Sequence, residues 1–307
     1  MGSNVPPTIR NYIGSVGYTE GLKERLKESV ILWYLRTWKA FRGKLLRENK
    51  RAHTAWFMSS TYKGSGRWLF GEGSLFGGRF GLTGNEFVEA LRFRLLLHPI
   101  RDVASVDKWC RCGHKCTTVE PFHMIDCQRN RYFITQRHDA VVHLLSDLIK
   151  HANRENLSIS TKDVTLRGRD NSVIKADIKF TFENTSKYVD VVVMDPANIA
   201  YRRLTEGSCE RFGAAAMDRE EAKKKHYGCV PDIVNNGRFV PFAVEATGRL
   251  GPAALAFVGN LTKHQPGLRN RFVDQIGMVL AKYNSKCVDF IRLDFVNRAP
   301  HSWVPLP

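Results

Sequence analysis

The amino-terminal third of the chain combines helix-forming stretches with a glycine-rich segment. In residues 20–50, apolar positions recur every three or four residues and Lys and Arg cover the other face, which predicts a basic amphipathic helix. Residues 59–84 are rich in glycine and predict a loop. Thr83 is a residue type that caps helices, so a second helix is expected from there to Leu97, just before a His-Pro step.

The hydrophobic period changes in the middle of the chain. The stretch RHDAVVHLLSDLIKHAN predicts a helix that begins near Asp139. From Val164 onward apolar and polar residues alternate, and the segments ADIKFTF and YVDVVV stand on either side of a polar ENTSK break. This alternation around a short break predicts a β-hairpin.

The carboxy-terminal part returns to longer periodic segments. The stretch GAAAMDREEAKKKHYG predicts a helix, and residues 239–246 (FVPFAVEA) predict a buried strand. Gly251 and Pro252 favour the start of a further helix, and NRFVDQIGMVLAKY predicts a long last one. The predicted order is helix, two or three strands, helix, strand, helix and helix, which is typical of a mixed α/β domain.

Charge is the strongest signal in the composition. The chain of 307 residues has 43% apolar residues, enough for a packed core, but 47 Lys and Arg against 30 Asp and Glu give a net charge of +17. The basic residues are spread along the chain, as a surface that follows phosphates requires, so nucleic acid is the expected partner. An anionic membrane surface, or a basic surface that only aids solubility, is the alternative. No run of 18 apolar residues occurs, so no membrane span is expected.

Four of the seven cysteines lie within residues 110–127. The first residues lack the basic start and apolar core of a secretory signal, so nothing in the sequence indicates an oxidising compartment, and metal is favoured over disulfides. The array C-x3-C-x6-H-x3-C supplies the donors of a closed, structural zinc site. Its members are Cys112, Cys116, His123 and Cys127. Cys110 and His114 are spare donors, and reduced cysteines without a metal are the alternative.

Two aspartates on the arms of the predicted hairpin are candidate metal ligands. Asp177 and Asp190 face each other directly if Glu183 and Asn184 form a two-residue turn, and they are diagonal neighbours if the loop has four residues. Opposed like charges are destabilising, so a cation between them would explain the pair, and carboxylate oxygens suit Mg²⁺ or Mn²⁺. The alternative is that both side chains merely face water.

Further polar residues could complete a catalytic site. Glu245 ends the apolar strand and could add a third acid at the edge of the sheet. The lysines of KKKHY stand just before Tyr227 and could bring a cation to the attacked phosphate. The alternative is a set of helical ion pairs in the favoured order, Glu220 with Lys224 and Glu221 with Lys225.

The order of these features resembles the carboxy-terminal part of non-LTR retrotransposon proteins that carry a restriction-like endonuclease. The resemblance covers residues 80–260. It rests, in this order, on LTGNEFVEALRFRLLLHP, the Cys-Cys-His-Cys array with EPFH inside it, RHDAVVHLL, ADIKF, YVDVVV, KKKHY and FVPFAVEATGRLGPAALAF. In that family a zinc knuckle is followed by a PD-(D/E)XK-type nuclease, which nicks target DNA so that the freed 3′-hydroxyl primes reverse transcription.

The resemblance implies an α/β fold with a mixed-sheet restriction-endonuclease-like core. A basic helical segment with a glycine-rich loop (1–100) and a zinc knuckle (101–135) would precede the nuclease domain (136–307). Asp177 and Asp190 would be the metal-binding acids, with Mg²⁺ or Mn²⁺ as the catalytic cofactor and Zn²⁺ as the structural one. The residues that we assign to the catalytic site are Asp177, Asp190, Lys224, Lys225, Tyr227 and Glu245.

The chain departs from the motif of that family at several positions. Ala176 stands where proline is usual, and Val192 stands where the ordinary motif has its lysine. The related transposon nucleases take that lysine from the following helix, near a tyrosine, which makes Lys224 or Lys225 with Tyr227 the substitute. The insert at 196–213 is longer than in the family and leaves the choice of lysine open. No Y-x-D-D or F-x-D-D polymerase box occurs, so the chain is not itself a reverse transcriptase.

These observations support function hypotheses from different classes. The first is a metal-dependent DNA endonuclease that nicks target DNA, with Asp139 as a further candidate acid or, instead, a residue at a helix start. The second is an inactive, zinc-stabilised module that binds DNA or RNA, and the third is a protein-interaction domain. The resemblance implies DNA, with RNA as the alternative, a reverse transcriptase domain or retroelement ribonucleoprotein as partner, and a nuclear location in a eukaryote.

Overall fold

The chain divides into two compact units, Met1–Lys50 and Arg51–Pro307. The computed structural model describes residues 36–62, 64–66, 81–97, 112, 122–152, 157–161, 164–182, 184–202 and 207–296. In the first unit residues 36–47 are helical, which agrees with the basic helix predicted from the sequence; residues 20–35 of that prediction lie outside the described residues. Helices that the sequence grouped with this segment belong to the second unit, together with the sheet.

The second unit begins with helices that contribute to a hydrophobic cluster. Helix α1 spans Arg51–Ser60 and α2 spans Gly84–Arg94. The predicted cap of α2 is confirmed, because the Thr83 hydroxyl accepts from the Glu86 backbone N–H and the Glu86 carboxylate accepts from the Thr83 N–H. The helix ends at Arg94 instead of Leu97, with Leu95 at its cap. A short helix, α3, follows at His123–Asp126.

The next helix is longer than the hydrophobic pattern predicted. Helix α4 spans Arg131–Ala152, so Asp139 lies in its middle and the predicted start there is wrong. The pattern missed the first two turns because most of their residues are polar, and a buried polar contact helps to hold them. The fully buried Arg137 guanidinium donates to the Asn284 side chain at 2.7 Å.

The strands form one mixed sheet and one small antiparallel pair. The strands are β1 (Ser158–Ser160), β2 (Val164–Arg167), β3 (Val173–Ala176), β4 (Ile178–Phe182), β5 (Thr185–Met194) and β6 (Phe239–Glu245). The sheet has the order β1-β4-β5-β6, in which β1/β4 and β4/β5 are antiparallel and β5/β6 are parallel. Strands β2 and β3 pair with each other. The predicted β4/β5 hairpin is confirmed, whereas β1 and the small pair include strands that the pattern did not separate.

Helices connect the strands and cover both faces of the sheet. Between β5 and β6 lie α5 (Ile199–Arg202), α6 (Ala214–Tyr227) and α7 (Pro231–Val234), and after β6 come α8 (Pro252–Leu261) and α9 (Pro266–Val296). The predictions of α6, β6 and α8 are confirmed, and Pro252 does take the first turn of α8. The last helix extends beyond the predicted segment at both ends.

Alternate residues of β5 and β6 face different helices. Val191 and Val244 join the core formed with α4, α8 and α9, while Met194 and Ala243 pack with α6 residues on the opposite face. Asp190 follows the same alternation and therefore lies on the α6 face of the sheet. Among the described residues, no helix combines the length and apolar character needed to cross a membrane.

Candidate active site

The two aspartates of the hairpin meet across neighbouring strands. Phe182 pairs with Thr185, so the turn between β4 and β5 has two residues, and the register continues to Ile178 opposite Val189. The next opposed pair is Asp177 and Asp190, as the two-residue turn predicted. Asp177 departs from regular strand geometry there, since its backbone N–H donates to the Val189 carbonyl at 3.0 Å.

The Asp177 side chain reaches over β5 toward Asp190. One of its carboxylate oxygens, Oδ2, accepts from the Val191 backbone N–H at 2.6 Å. The two carboxyl groups are close enough to interact, and the charge of Asp177 contributes to a raised pKa of Asp190. The structure therefore brings together the two acids that the sequence singled out.

Asp190 is the more buried of the pair and has a lysine as its counter-ion. It is 5% exposed, and Lys223 Nζ lies 2.7 Å from its Oδ2. Burial raises the pKa of Asp190, Lys223 opposes that rise, and the negative charge of Asp177 adds to it, so the net effect is a raised pKa. A buried carboxylate beside another carboxylate favours the approach of a cation.

His138 of α4 binds the other acid. Its Nε2 lies 3.3 Å from Asp177 Oδ2 and 3.2 Å from the Val191 carbonyl oxygen, and its Nδ1 lies 3.1 Å from Asp139 Oδ1. Burial lowers the pKa of His138, but the hydrogen bonds and charges of Asp177 and Asp139 outweigh it and raise the pKa to about 9. At neutral pH this imidazole is therefore a cation, and it holds the pKa of Asp177 below its ordinary value although burial acts in the opposite direction.

Sequence reasoning missed His138, although it stands next to Asp139 in the quoted RHD stretch. The helical period could have indicated that His138 points toward the sheet, because it lies next to the apolar residues of α4 that face the sheet. Asp139 itself is exposed on α4, and its contact with the site is through His138.

The lysine that reaches the acids is Lys223. Lys224 is exposed and lies 3.9 Å from Glu221, and Lys225 is exposed as well. Lys223 lies one helical turn before Tyr227, on the same face of α6. Because Tyr227 is buried, the face of α6 that carries it points into the fold, and Lys223 on the same face reaches Asp190. The sequence analysis proposed Lys224 or Lys225 instead.

Tyr227 lies in the wall of the site. It is fully buried, its hydroxyl donates to the Lys175 carbonyl at 2.7 Å, and its ring stacks on Phe239 with centroids 4.0 Å apart. Burial raises the pKa of Tyr227, and the negative charge of Asp190 raises it further, so the phenol stays protonated. It therefore acts as a neutral hydrogen-bonding group beside Asp190.

Glu245 lies apart from the acid pair. On the parallel register Asp190 pairs with Pro241 and Met194 pairs with Glu245, so four residues of strand, about 13 Å, separate the two levels. The Glu245 carboxylate accepts from the Ser59 hydroxyl and lies 3.8 Å from Arg249 Nε. Burial raises its pKa, and Ser59 and Arg249 oppose that rise.

Glu220, expected to pair with Lys224, has a different role. Its carboxylate oxygens accept from the backbone N–H groups of Ala253 and Ala254 at 3.0 and 3.1 Å, at the first turn of α8. These N–H groups have no partner within their own helix, so the buried carboxylate satisfies them. Neither predicted i,i+4 pair is found among the described residues, since Glu221 lies 3.9 Å from Lys224 instead of pairing with Lys225.

A second cluster of donors lies at α3. Cys112, His123 and Cys127 have ligand atoms that all lie within 4.8 Å of one another, and Cys112 Sγ is 3.1 Å from His123 Nε2. Two thiols and an imidazole suit Zn²⁺. Cys110, His114 and Cys116, the fourth member of the predicted array, lie outside the described residues. The structure therefore brings together three donors that could hold a metal ion.

Comparison with protein families finds no family model that matches this chain, and a search of curated proteins finds no relative. The candidate site therefore has to be interpreted from its own geometry.

Proposed function

We propose that the chain is a divalent-metal-dependent endonuclease that nicks DNA, as in target-primed retrotransposition. The observation that carries the proposal is the opposition of Asp177 and Asp190 on the two arms of a hairpin, with the Asp177 carboxylate bonded to the Val191 N–H and Lys223 at 2.7 Å from Asp190. Two acids and one amine are the groups that metal-assisted phosphodiester hydrolysis requires.

The surroundings of the acid pair fit Mg²⁺ or Mn²⁺. The donors are hard oxygens, namely two carboxylates and the Val191 carbonyl, which faces the same imidazole as Asp177. The carboxylates raise each other's energy when both are charged, and a divalent cation would relieve that repulsion. When bound, such an ion would activate a water molecule and stabilise the oxygens of the reacting phosphate.

The protein's own side chains would prepare the site for this chemistry. His138 and the Val191 N–H fix the orientation of Asp177, and Tyr227 fills the space behind Asp190. The Lys223 amine, half-buried at the mouth of the site, would offset negative charge on the phosphate. The mixed sheet, in which the hairpin is followed by a helix and a parallel strand, supports the restriction-endonuclease-like core that the resemblance implies.

The remaining parts of the chain would serve DNA binding. The net charge of +17 and the basic helix at 36–47 favour contact with the phosphate backbone. The Cys112, His123 and Cys127 group, with a fourth ligand from the same array, would hold structural zinc in a knuckle. We further propose a reverse transcriptase domain or retroelement ribonucleoprotein as partner and, in a eukaryote, a nuclear location.

Nicking of supercoiled plasmid tests the proposal directly. With Mg²⁺ or Mn²⁺ the protein is expected to produce open circles, and Asp177→Asn is expected to stop this without unfolding the chain. Asp170→Asn is the matched control, because Asp170 is a fully exposed aspartate whose described hydrogen bonds are with Ser172, in the turn between β2 and β3. Equal nicking by Asp177→Asn and the parent protein would defeat the proposal.

A second candidate function is an inactive nucleic-acid-binding module with the same fold. It is favoured by Val192 at the position of the motif lysine and by the existing counter-ions of both acids, His138 for Asp177 and Lys223 for Asp190. Salt-sensitive binding to DNA that persists in Asp190→Asn, together with no cleavage under any divalent metal, would establish this function instead.

A further inference from the structure

Helices α4 and α9 enclose a polar groove beside the candidate active site. The helices run antiparallel, since Phe133 packs on Phe290 and Arg137 bonds to Asn284. The groove has a volume of about 410 Å³. Its lining consists of Gln136, Asp139, Ala140, His143, Lys282, Tyr283 and Lys286. Two lysines against one aspartate make this lining positive.

The cations of the groove are held in place. Lys286 Nζ lies over the Tyr283 ring, 5.3 Å from its centroid, and Lys282 Nζ donates to the Gly81 carbonyl at 3.1 Å. Both lysines are only partly exposed. Amines fixed at the wall of a groove lose less freedom on binding an anion than amines on free side chains.

An exposed aromatic cluster lies on the same pair of helices. Tyr132 is 68% exposed and Phe290 is 40% exposed. The ring of Phe133 connects them, with centroids 5.2 Å from Tyr132 and 5.9 Å from Phe290. Phe290 lies one helical turn beyond Lys286, and Tyr132 lies one turn before Gln136, so the cluster adjoins one end of the groove.

A chain of hydrogen bonds joins the groove to the acid pair. Asp139, which lines the groove, contacts His138 Nδ1 at 3.1 Å, and His138 Nε2 contacts Asp177 at 3.3 Å. A strand of nucleic acid with a phosphate at the acid pair would therefore have the groove, and then the aromatic cluster, within reach of its neighbouring nucleotides.

We infer that the α4/α9 face binds an unpaired nucleic-acid strand that leads away from the candidate phosphodiester site. This inference rests on the proposed function for the position of the scissile phosphate, and it adds the state of the nucleic acid. Exposed ring faces stack on bases only where the bases are unpaired, whereas the fixed amines suit the backbone phosphates. A duplex would offer the same phosphates but no free base faces.

Fluorescence anisotropy of labelled oligo(dT), and of a duplex of the same length, tests this inference without added Mg²⁺ or Mn²⁺. Tyr132→Ala is expected to weaken oligo(dT) binding by about 5-fold to 150-fold, the loss of one base stack, and to leave duplex binding unchanged. Tyr132→Phe keeps the ring and is expected to keep the affinity. The affinity for oligo(U) of equal length is compared with that for oligo(dT). Tighter binding of one of them indicates whether the natural strand is RNA or DNA.

The lysine is tested by the salt dependence of binding. Lys286→Gln is expected to reduce the slope of log affinity against log salt by about 0.7 for oligo(dT), the loss of one phosphate contact. Lys150→Gln is the matched control, because Lys150 is exposed on α4, pairs with Asp147 at 3.7 Å and does not line the groove. It is expected to leave the slope unchanged.

Folded Tyr132→Ala and Lys286→Gln proteins that bind oligo(dT) as the parent does would overturn the inference. So would equal losses for oligo(dT) and duplex in Tyr132→Ala. Because binding is measured without added Mg²⁺ or Mn²⁺, a protein that binds the unpaired strand through this face but never nicks DNA would leave the inference standing while the proposed endonuclease fails.

Discussion

Asp190 and Glu245 are both buried acids on neighbouring parallel strands, yet their surroundings differ. Both have raised pKa values through burial. Glu245 accepts from the Ser59 hydroxyl and from the Ala216 backbone N–H at 3.4 Å, with Arg249 nearby. Asp190 has Lys223, but it also faces the carboxylate of Asp177.

This difference indicates which of the two buried acids is suited to bind a ligand. Glu245 is surrounded by donors from α1, α6 and the loop after β6, so its charge is satisfied within the fold. Asp190 is placed against a like charge, which costs stability and which a stable core would avoid. Burial and a raised pKa alone therefore do not identify a site; the opposed second carboxylate does.

The largest expected effect concerns catalysis. Asp190→Asn is expected to lower plasmid nicking about a thousandfold, because a metal-binding carboxylate contributes several kcal/mol to the transition state. Glu245→Gln makes the same change from acid to amide on the adjacent strand. A Glu245→Gln protein that is folded by circular dichroism is expected to keep nicking. If both variants lose activity equally, the distinction between the two acids fails.

The order reverses for stability. Glu245→Ala is expected to lower the free energy of unfolding by about 3 kcal/mol, since it leaves the half-buried Arg249 without its carboxylate. Asp190→Asn is expected to leave that free energy unchanged or to raise it, because it removes one of two opposed charges. Urea denaturation of both variants measures the two values, and a larger loss for Asp190→Asn would contradict the comparison.

The pH dependence of stability sharpens the comparison at the Asp177 side. Because folding raises the pKa of His138 from 6.5 to about 9, its contribution is fully present below pH 6.5 and is lost as pH rises toward 9. The loss is expected to be about 2 kcal/mol, less than the full shift implies, since the side chain is partly open to water. Urea denaturation across this range is expected to show a flatter profile for His138→Gln.

Glu245→Gln serves as the control for this profile. It is expected to retain the parent's decline between pH 6.5 and 9, because the contacts of His138 are to Asp177, Asp139 and Val191. A parent protein whose stability does not change over this range would show that His138 is not held as a cation in the fold.

The smallest expected effect separates two adjacent lysines. Lys223→Gln is expected to reduce nicking about tenfold, the loss of one hydrogen bond to a charged group. Lys224→Gln removes the same charge one residue away, from a side chain whose partner is the exposed Glu221, and is expected to have no effect. Equal losses for both variants would assign the effect to net charge instead of position.

The hairpin and its acid pair could be predicted from the sequence because their geometry is local. Alternation sets which residues share a face, and the two-residue turn sets the register, so Asp177 and Asp190 follow from the chain between them. The cap of α2 and the proline at the start of α8 are local signals of the same kind. Each of these features depends on residues that are close together in the sequence.

The partners of the acids could not be predicted in this way because they come from distant segments. His138 is contributed by a helix whose start the pattern misplaced, and Ser59 reaches Glu245 across 186 residues of sequence. The choice of Lys223 lies between these cases. The sequence shows that Lys223 and Tyr227 lie on the same face of α6, four residues apart. Only the packing of α6 on β5 and β6 makes that face the inner one.

Pro241 has a consequence for how the molecule meets its neighbours. It lies in β6 directly opposite Asp190, and the side of β6 away from β5 makes one isolated bridge among the described residues, between Val244 and Leu250. Lacking a backbone N–H, it interrupts the row of donors that an incoming chain would need in order to extend the sheet. The edge of β6 at Pro241 is therefore protected against pairing with a strand of another molecule. We expect that the protein does not polymerise through this edge.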